Sequence, residues 1–327
     1  MKTLVTGATG FIGKHLVPAL LKEGKTVKCL VRLKSNTKNL ETLGIELCYG
    51  DLLDKSSLEK AIEEVDVIYH LAAEVYSSKI NEYYKKNVIG TKNLIDICEN
   101  KNIKKFIYLS SIAAVGPNQR KDILLDEQSP CYPSTPYGKS KLEAERILLK
   151  AIDSQNLPIV IIRAPIIYGP GQPNVLTRFF TEINKGKFKM IGGGNNLKSF
   201  CYIDNLIDGL ILAEKIKNST GKIYFISDSK VYTPNELAQI IAMEEGVTLK
   251  KQFLPSSIAS FCGILLFLLE KIFKRYSIDL YSIKTLTLDF GCSIKKAELE
   301  LGYRPKIDIR EGIRRTIEWC RKEDLLN

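Results

Sequence analysis

Tyr137 and Lys141 stand four positions apart in TPYGKSK, directly after Pro136. In a helix that spacing puts both side chains on one face. The chemistry on offer is proton transfer. A free tyrosine titrates near pH ~10 and is a poor base at neutral pH; a neighbouring ammonium favours the phenolate and draws the pKa toward the working range. Of fifteen tyrosines, only Tyr137 has a lysine four residues downstream. So lysine-rich a chain can supply one such pair by accident, and the pair gains meaning only from its surroundings.

A second group of residues could hold phosphates. TGATGFIG, residues 6–13, spaces Gly7, Gly10 and Gly13 as G-x-x-G-x-x-G between a short apolar run and an amphipathic one. Gly7 permits a sharp turn, Gly10 lets backbone N–H groups approach a pyrophosphate, and Gly13 lets the helix pack close to a sheet. The helix N-terminus adds positive potential for the phosphates. The next apolar run ends in CLVR, with Val31 where a ribose-binding acid would stand and Arg32 beside it. An arginine there suits a 2′-phosphate, so NADP(H) is favoured and NAD(H) is the alternative. Asp51 in YGDL would face the adenine.

The surrounding elements fit such a site. Apolar runs at 2–5, 26–32, 45–51, 66–72, 104–111 and 157–163 alternate with helical patterns at 11–24, 58–65, near 80–100 and at 137–153. This predicts an α/β fold with a doubly wound parallel sheet covered on both faces. After Arg163 the rhythm changes to a Pro/Gly-rich loop, helices at 174–185, 205–217 and 234–245, and a strand at 222–226. The expected division is a dinucleotide-binding domain at 1–164 with a return segment near 200–226. A smaller, mostly helical substrate lobe then comprises 165–199 and 227–327.

Composition narrows the classes. The 327 residues suffice for one large domain or two joined ones, and 45% apolar with 26% charged residues is ordinary for a globular protein. The net charge of +11 suits anionic partners, but the lysines are spread and no arginine-rich run occurs, so nucleic acid is not expected. Eight cysteines without a C-x-x-C pattern point to reduced, buried thiols in a cytoplasmic protein. With His15 and His70 as its two histidines, the chain offers no basis for a histidine zinc site or triad, and no metal is expected. The chain enters a strand at once, so no signal peptide is expected. Residues 258–269 are mostly apolar and are followed by Lys271, Lys274 and Arg275. That stretch is too short to span a bilayer. It reads as a buried helix of the second lobe or, with its basic flank, as a peripheral membrane contact through 257–275.

Over nearly its whole length the chain resembles the extended short-chain dehydrogenases/reductases. The resemblance is carried in order by TGATGFIG, GDL (50–52), HLAA (70–73), NVIGTKNL (87–94), YLSSIAAVG (108–116), DEQSPCYPSTPYGKSKLEAE (126–145), RAPIIYGPG (163–171), FCYIDNLIDGLILA (200–213) and LGYRPKIDIREGIRRTIEW (301–319). It implies a Rossmann-type fold in which Tyr137 is the general acid/base, its pKa brought toward the working range by the ammonium and the nicotinamide charge together, and Lys141 also holds the nicotinamide ribose. Ser111, five residues before Gly116, would orient the substrate oxygen, with Ser110 a neighbour on the cofactor side. Cofactor contacts are implied for Gly7, Thr9, Gly10, Phe11, Ile12, Gly13, Arg32, Asp51, Leu52, Leu71, Ala72, Ala73, Ser110, Tyr137, Lys141 and Pro165. Pro136 suits the first helical turn, and Gly138 a close approach beside the cofactor.

The small-molecule substrate is less legible. Nucleotide-sugar enzymes of this type read R-x-x-N-x-Y-G-P after the sixth strand, whereas here Ile166 takes the asparagine's place and Pro165 precedes it. That form resembles 3β-hydroxysteroid dehydrogenases and dihydroflavonol reductases, which act on apolar substrates. The leading expectation is an oxidoreductase acting on a lipophilic secondary alcohol or carbonyl. The alternative is a nucleotide-sugar epimerase or dehydratase with tightly bound NAD, which IGGGNN (191–196) and the LGYRP tail resemble. A non-catalytic dinucleotide-binding protein is a minor alternative. Relatives imply a homodimer through the helices near 80–100 and 137–153.

Overall fold

Seven parallel strands form the centre of the molecule, and their order reverses once. The computed structural model describes residues 1–77, 79–121, 123–172, 176–250, 252–255 and 285–326. The chain begins β1 (Lys2–Thr6), α1 (Phe11–Lys22), β2 (Thr26–Val31), α2 (Lys38–Glu41), β3 (Glu46–Tyr49), α3 (Lys55–Ala61) and β4 (Val67–His70). It continues with α4 (Ile80–Tyr83), a π-helical stretch (Tyr84–Ile89), α5 (Gly90–Cys98), β5 (Lys105–Ser111), α6 (Pro136–Gln155) and β6 (Ile159–Ala164). Next come β7 (Ile166–Tyr168), α7 (Leu176–Asn184), β8 (Met190–Ile191), β9 (Lys198–Tyr202), α8 (Ile203–Lys215), β10 (Ile223–Phe225), β11 (Val231–Tyr232), α9 (Pro234–Glu245) and β12 (Phe253–Leu254). The last described helices are α10 (Lys295–Leu301) and α11 (Ile309–Lys322).

The large sheet has the order β10-β6-β5-β4-β1-β2-β3. Its central strands are near-continuous apolar runs because both faces are covered: every residue of β6, and β1 from Thr3 onward, is buried. One face packs Leu16 and Leu20 of α1 against Leu206 and Leu210 of α8. The other packs Leu58 of α3, Leu94 of α5 and Leu148 of α6. This is the doubly wound Rossmann-type sheet, and its order reverses between β1 and β4. Ligands of such sheets sit outside the carboxyl ends of the strands at that reversal.

Three features differ from the sequence reading. The helix expected near 80–100 is interrupted by the π-helical stretch, which turns Asn87 inward and buries it. The later part is not merely helical. It carries a three-stranded sheet, β11-β9-β7, and a two-stranded one, β12-β8. Strands of two or three residues are too short to show a period. Within the expected return segment, β9 joins the small sheet, while α8 covers the large one and β10 adds its seventh strand. The apolar stretch 257–275 lies outside the described residues. No described helix is long and apolar enough to cross a membrane. Cys29, Cys48, Cys98, Cys131, Cys201, Cys292 and Cys320 are free thiols.

Candidate active site

A cleft of about 680 Å³ opens at the reversal point, and every residue that the sequence assigned to the site except Gly138 lines it. Its phosphate end is made of backbone. Gly7 has φ +75°, and a Cβ there would stand 2.7 Å from Ala72 N, so the turns after β1 and β4 meet only because the residue is glycine. A Cβ on Gly13 would lie 2.4 Å from Gly7 O, which is how α1 comes to start so close to the strand end. The helix begins at Gly10 without a side-chain cap and with no acidic residue in its first turn. Its N-terminal N–H groups and dipole therefore favour an anion from the cleft. Arg32, exposed at the end of β2, and Asp51 line the wall beyond Gly7 and Gly10. Asp51 Oδ1 accepts from Leu53 N at 2.9 Å, which fixes its turn. Thr9, Phe11, Ile12, Leu52, Leu71 and Ala73 complete this end. A cradle that a Cβ would fill, an uncapped helix start, and a wall with an exposed arginine beside a carboxylate fit a dinucleotide.

The other end gathers Ser111, Tyr137, Lys141 and Pro165. Thr135 caps α6 by accepting from Gly138 N at 3.0 Å, and Pro136 occupies the first turn. Tyr137 and Lys141 therefore emerge from the first turns of a helix whose start is fixed. Ser111 ends β5 and accepts from Ala113 N at 3.1 Å, holding the hydroxyl at the mouth of the following turn. Its hydroxyl stands near enough to the Tyr137 phenol to favour the phenolate. Lys141 is 1% exposed. Its Nζ donates to Leu109 O at 2.7 Å and lies 4.1 Å from the centroid of the Tyr108 ring.

Two expectations are corrected here. The lysine by itself does not draw the Tyr137 phenol down: burial pushes it up to about 12, Ser111 lowers it in part, and Tyr76 and Tyr83 raise it, so a downward shift rests on the nicotinamide charge. The desolvation cost dominates, and the ammonium expected to offset it is engaged by a carbonyl of β5. Burial likewise pushes the Lys141 ammonium down to about 7, against the charge of Glu145. Gly138 does not line the cleft. A Cβ there would meet Ala113 O at 2.2 Å, so the glycine lets α6 close on the turn after Ser111.

Behind the cleft run two buried networks that the sequence did not reveal. His70 bonds Thr6 Oγ1 through Nδ1 at 2.7 Å and Thr91 Oγ1 through Nε2 at 2.9 Å. Burial, and then the Lys141 charge, push it down to about 3, so it is a neutral brace between β1, β4 and α5. Asn87 accepts from Glu74 N at 2.7 Å and donates to Ser140 Oγ at 2.9 Å, locking the loop after β4 to α6. On the far side, Ser110 lines the cleft, but its hydroxyl donates to Glu145 rather than toward the cofactor side.

The mouth beside Tyr137 is lined by Val75, Tyr76, Ile166, Ile167, Gln172 and the Glu74–Lys86 ion pair. Sequence reasoning reached only Ile166 of these. Val75 and Tyr76 follow HLAA at the carboxyl end of a strand, and that position was the available signal. Tyr83 packs edge-on to Tyr137 with ring centroids 6.3 Å apart.

Comparison with known proteins places this geometry. The chain is 31% identical to protein y4nL of Sinorhizobium fredii, over 98% of this chain and 95% of that one. It is 29% identical to the decarboxylating sterol-4-alpha-carboxylate 3-dehydrogenase of Candida albicans, over 98% of both. The crystal structure of UDP-glucuronic acid 4-epimerase from Bacillus cereus in complex with NAD superposes with a TM-score of 0.81 at 26% identity, covering both chains completely. The model of the NAD dependent epimerase/dehydratase family matches residues 3–227. The chain belongs to that family, among the extended short-chain dehydrogenases/reductases, and is an enzyme of that type.

Proposed function

We propose that the protein is an oxidoreductase that interconverts a secondary alcohol and its carbonyl on a lipophilic substrate. A bound nicotinamide cofactor supplies the acceptor or donor of hydride. The chain's own residues bind, orient and move the proton. Gly7, Gly10 and the start of α1 receive the pyrophosphate, Arg32 takes a 2′-phosphate, and Asp51 lies beside the adenine. NADP(H) is thereby favoured, with NAD(H) the alternative. Ser111 orients the substrate oxygen and Tyr137 gives or takes the proton on it, while Lys141 holds the nicotinamide ribose.

The observation that carries the substrate class is Ile166. It is 36% exposed and lines the cleft next to Pro165, with exposed Val75 and Tyr76 lining the same end. An amide there would read a sugar diphosphate; isoleucine presents hydrocarbon. The Lys86 ammonium on the same rim is already paired with Glu74 at 2.7 Å and Glu82 at 3.3 Å, so this group carries no surplus positive charge for a diphosphate. The sterol dehydrogenase relative supports this reading. The Bacillus cereus epimerase supports the second one, a nucleotide-sugar epimerase or dehydratase with retained NAD. The assembled Ser111, Tyr137 and Lys141 weigh against a non-catalytic binding protein.

The lobe division at 1–164, with 200–226 returning, and 165–199 plus 227–327 belongs to the same proposal. So does a homodimer through α4–α5 and α6, where Ile80, Tyr84, Ile89 and Leu149 are exposed apolar residues. A cytoplasmic protein with a peripheral membrane contact through 257–275 completes it.

The test is a panel of lipophilic secondary alcohols and ketones, with added NADP(H) or NAD(H), beside a panel of nucleotide sugars. Net change in nicotinamide absorbance is expected with the first panel and no product with the second. Conversion of a nucleotide sugar without net cofactor consumption would establish the second reading.

A further inference from the structure

Next to the Ser111–Tyr137–Lys141 group lies a buried cluster that the proposed chemistry does not use. Glu145 stands four residues after Lys141 on α6 and is 1% exposed. Its carboxylate accepts from Arg163 Nε at 3.1 Å and from Arg163 Nη2 at 2.7 Å. It also accepts from Ser110 Oγ at 2.5 Å. Ser110 and Arg163 are register partners across β5 and β6. The ion pair alone would neutralise Arg163. The serine bond does something more: it fastens the carboxylate to the residue directly before Ser111.

The same stretch of helix carries a buried cation. The charged and titratable groups that face the Lys141 ammonium are Tyr137 and Glu145 from α6, Tyr108 from β5 and His70 from β4. Arg163 reaches Glu145 from β6. His70 is neutral, and burial keeps the Tyr108 and Tyr137 phenols protonated. Among these groups Glu145 is the one negative charge. A buried amine without a counter-charge gives up its proton.

We propose that Glu145 is a positioning residue for Lys141. Its carboxylate is the counter-charge that keeps the buried amine an ammonium, and through Ser110 it ties that helix turn to the strand end bearing Ser111. This rests on the reading in which Lys141 holds the nicotinamide ribose. Ser110 then acts through Glu145, with its hydroxyl turned away from the cofactor. The direction of the Lys141 titration agrees, since the Glu145 charge opposes the effect of burial.

The experiment measures NADH affinity by fluorescence across pH, because NADH has no 2′-phosphate to titrate. Wild-type affinity is expected to fall as pH rises through the Lys141 midpoint. In Glu145→Gln that fall moves to a pH lower by about one unit. Glu145→Asp keeps the charge and restores the wild-type midpoint. In Lys141→Met binding is weaker and the step is gone. If Glu145→Gln does not fold because Arg163 is left unpaired, Glu145→Gln/Arg163→Met removes both charges, and its midpoint is also expected below wild type. A step that is lost in Lys141→Met but keeps the wild-type midpoint without Glu145 overturns the proposal alone. A step that persists in Lys141→Met overturns the Lys141 reading and the proposal with it.

Discussion

The two ends of the cleft are built by different means. At the phosphate end the backbone does the shaping: a Cβ on Gly7 would stand 2.7 Å from Ala72 N and one on Gly13 2.4 Å from Gly7 O, so the backbone approaches at both positions require glycine. At the chemical end, side chains from separate segments converge. Ser111 comes from β5, Tyr137 and Lys141 from α6, Ile166 from β7, and Tyr76 from the loop after β4. The first end is organised around a single contiguous turn, Gly7 to Gly13, and its chemistry is the same whatever substrate is used. The second is assembled across the fold, and its apolar rim is where relatives of one architecture can diverge in substrate.

Breaking the chemical end should have the largest effect. Tyr137→Phe removes the proton donor and is expected to lower turnover by at least ~10²-fold while cofactor affinity survives. Near-normal steady-state rates in that variant would mean that the two ends do not divide the work as described. Breaking the phosphate end should instead cost stability. Gly13→Ala forces a Cβ against Gly7 O and Ala8 and should cost about 1–3 kcal/mol in denaturant unfolding, with weaker cofactor binding. An unchanged midpoint would show that the helix start can shift at no cost.

Two smaller changes sharpen the comparison. Arg32 is exposed, so Arg32→Ala should weaken NADP(H) binding by only about fivefold and leave NAD(H) nearly unchanged. Equal losses for both cofactors in a titration would place the arginine elsewhere than at a 2′-phosphate. Ile166→Asn should raise KM for an apolar substrate by about fourfold, roughly one methylene of lost contact, with little change in kcat. A fall in KM would show that the rim reads a polar group.

What could be read in the sequence follows from the same contrast. The glycine turn and the Tyr137–Lys141 spacing were legible because each constraint acts within one turn and one helix. The strands of the large sheet were legible because burial on both faces makes them unbroken apolar runs. The bond from the Ser110 hydroxyl to Glu145 was not legible because the two residues are 35 positions apart. Gly138 was misassigned because the atom it avoids, Ala113 O, belongs to another loop. The lysine's share of the expected drop in the Tyr137 pKa is outweighed by burial, because a sequence shows the lysine but not the desolvation of the phenol. The π-helical stretch at Tyr84–Ile89 had no signal in apolar spacing, since its purpose is to aim Asn87 at Glu74 and Ser140.

The central claim, that hydride leaves the substrate for good instead of returning to it, is tested most directly by the fate of the cofactor. Protein purified without added nucleotide would be denatured and the released nicotinamide dinucleotide measured, before and after dialysis against the other redox form. An enzyme that passes hydride on must exchange its cofactor, so the account predicts a retained fraction well below one per chain that is replaced on dialysis. One NAD per chain that survives dialysis would contradict it and identify the protein as an epimerase or dehydratase.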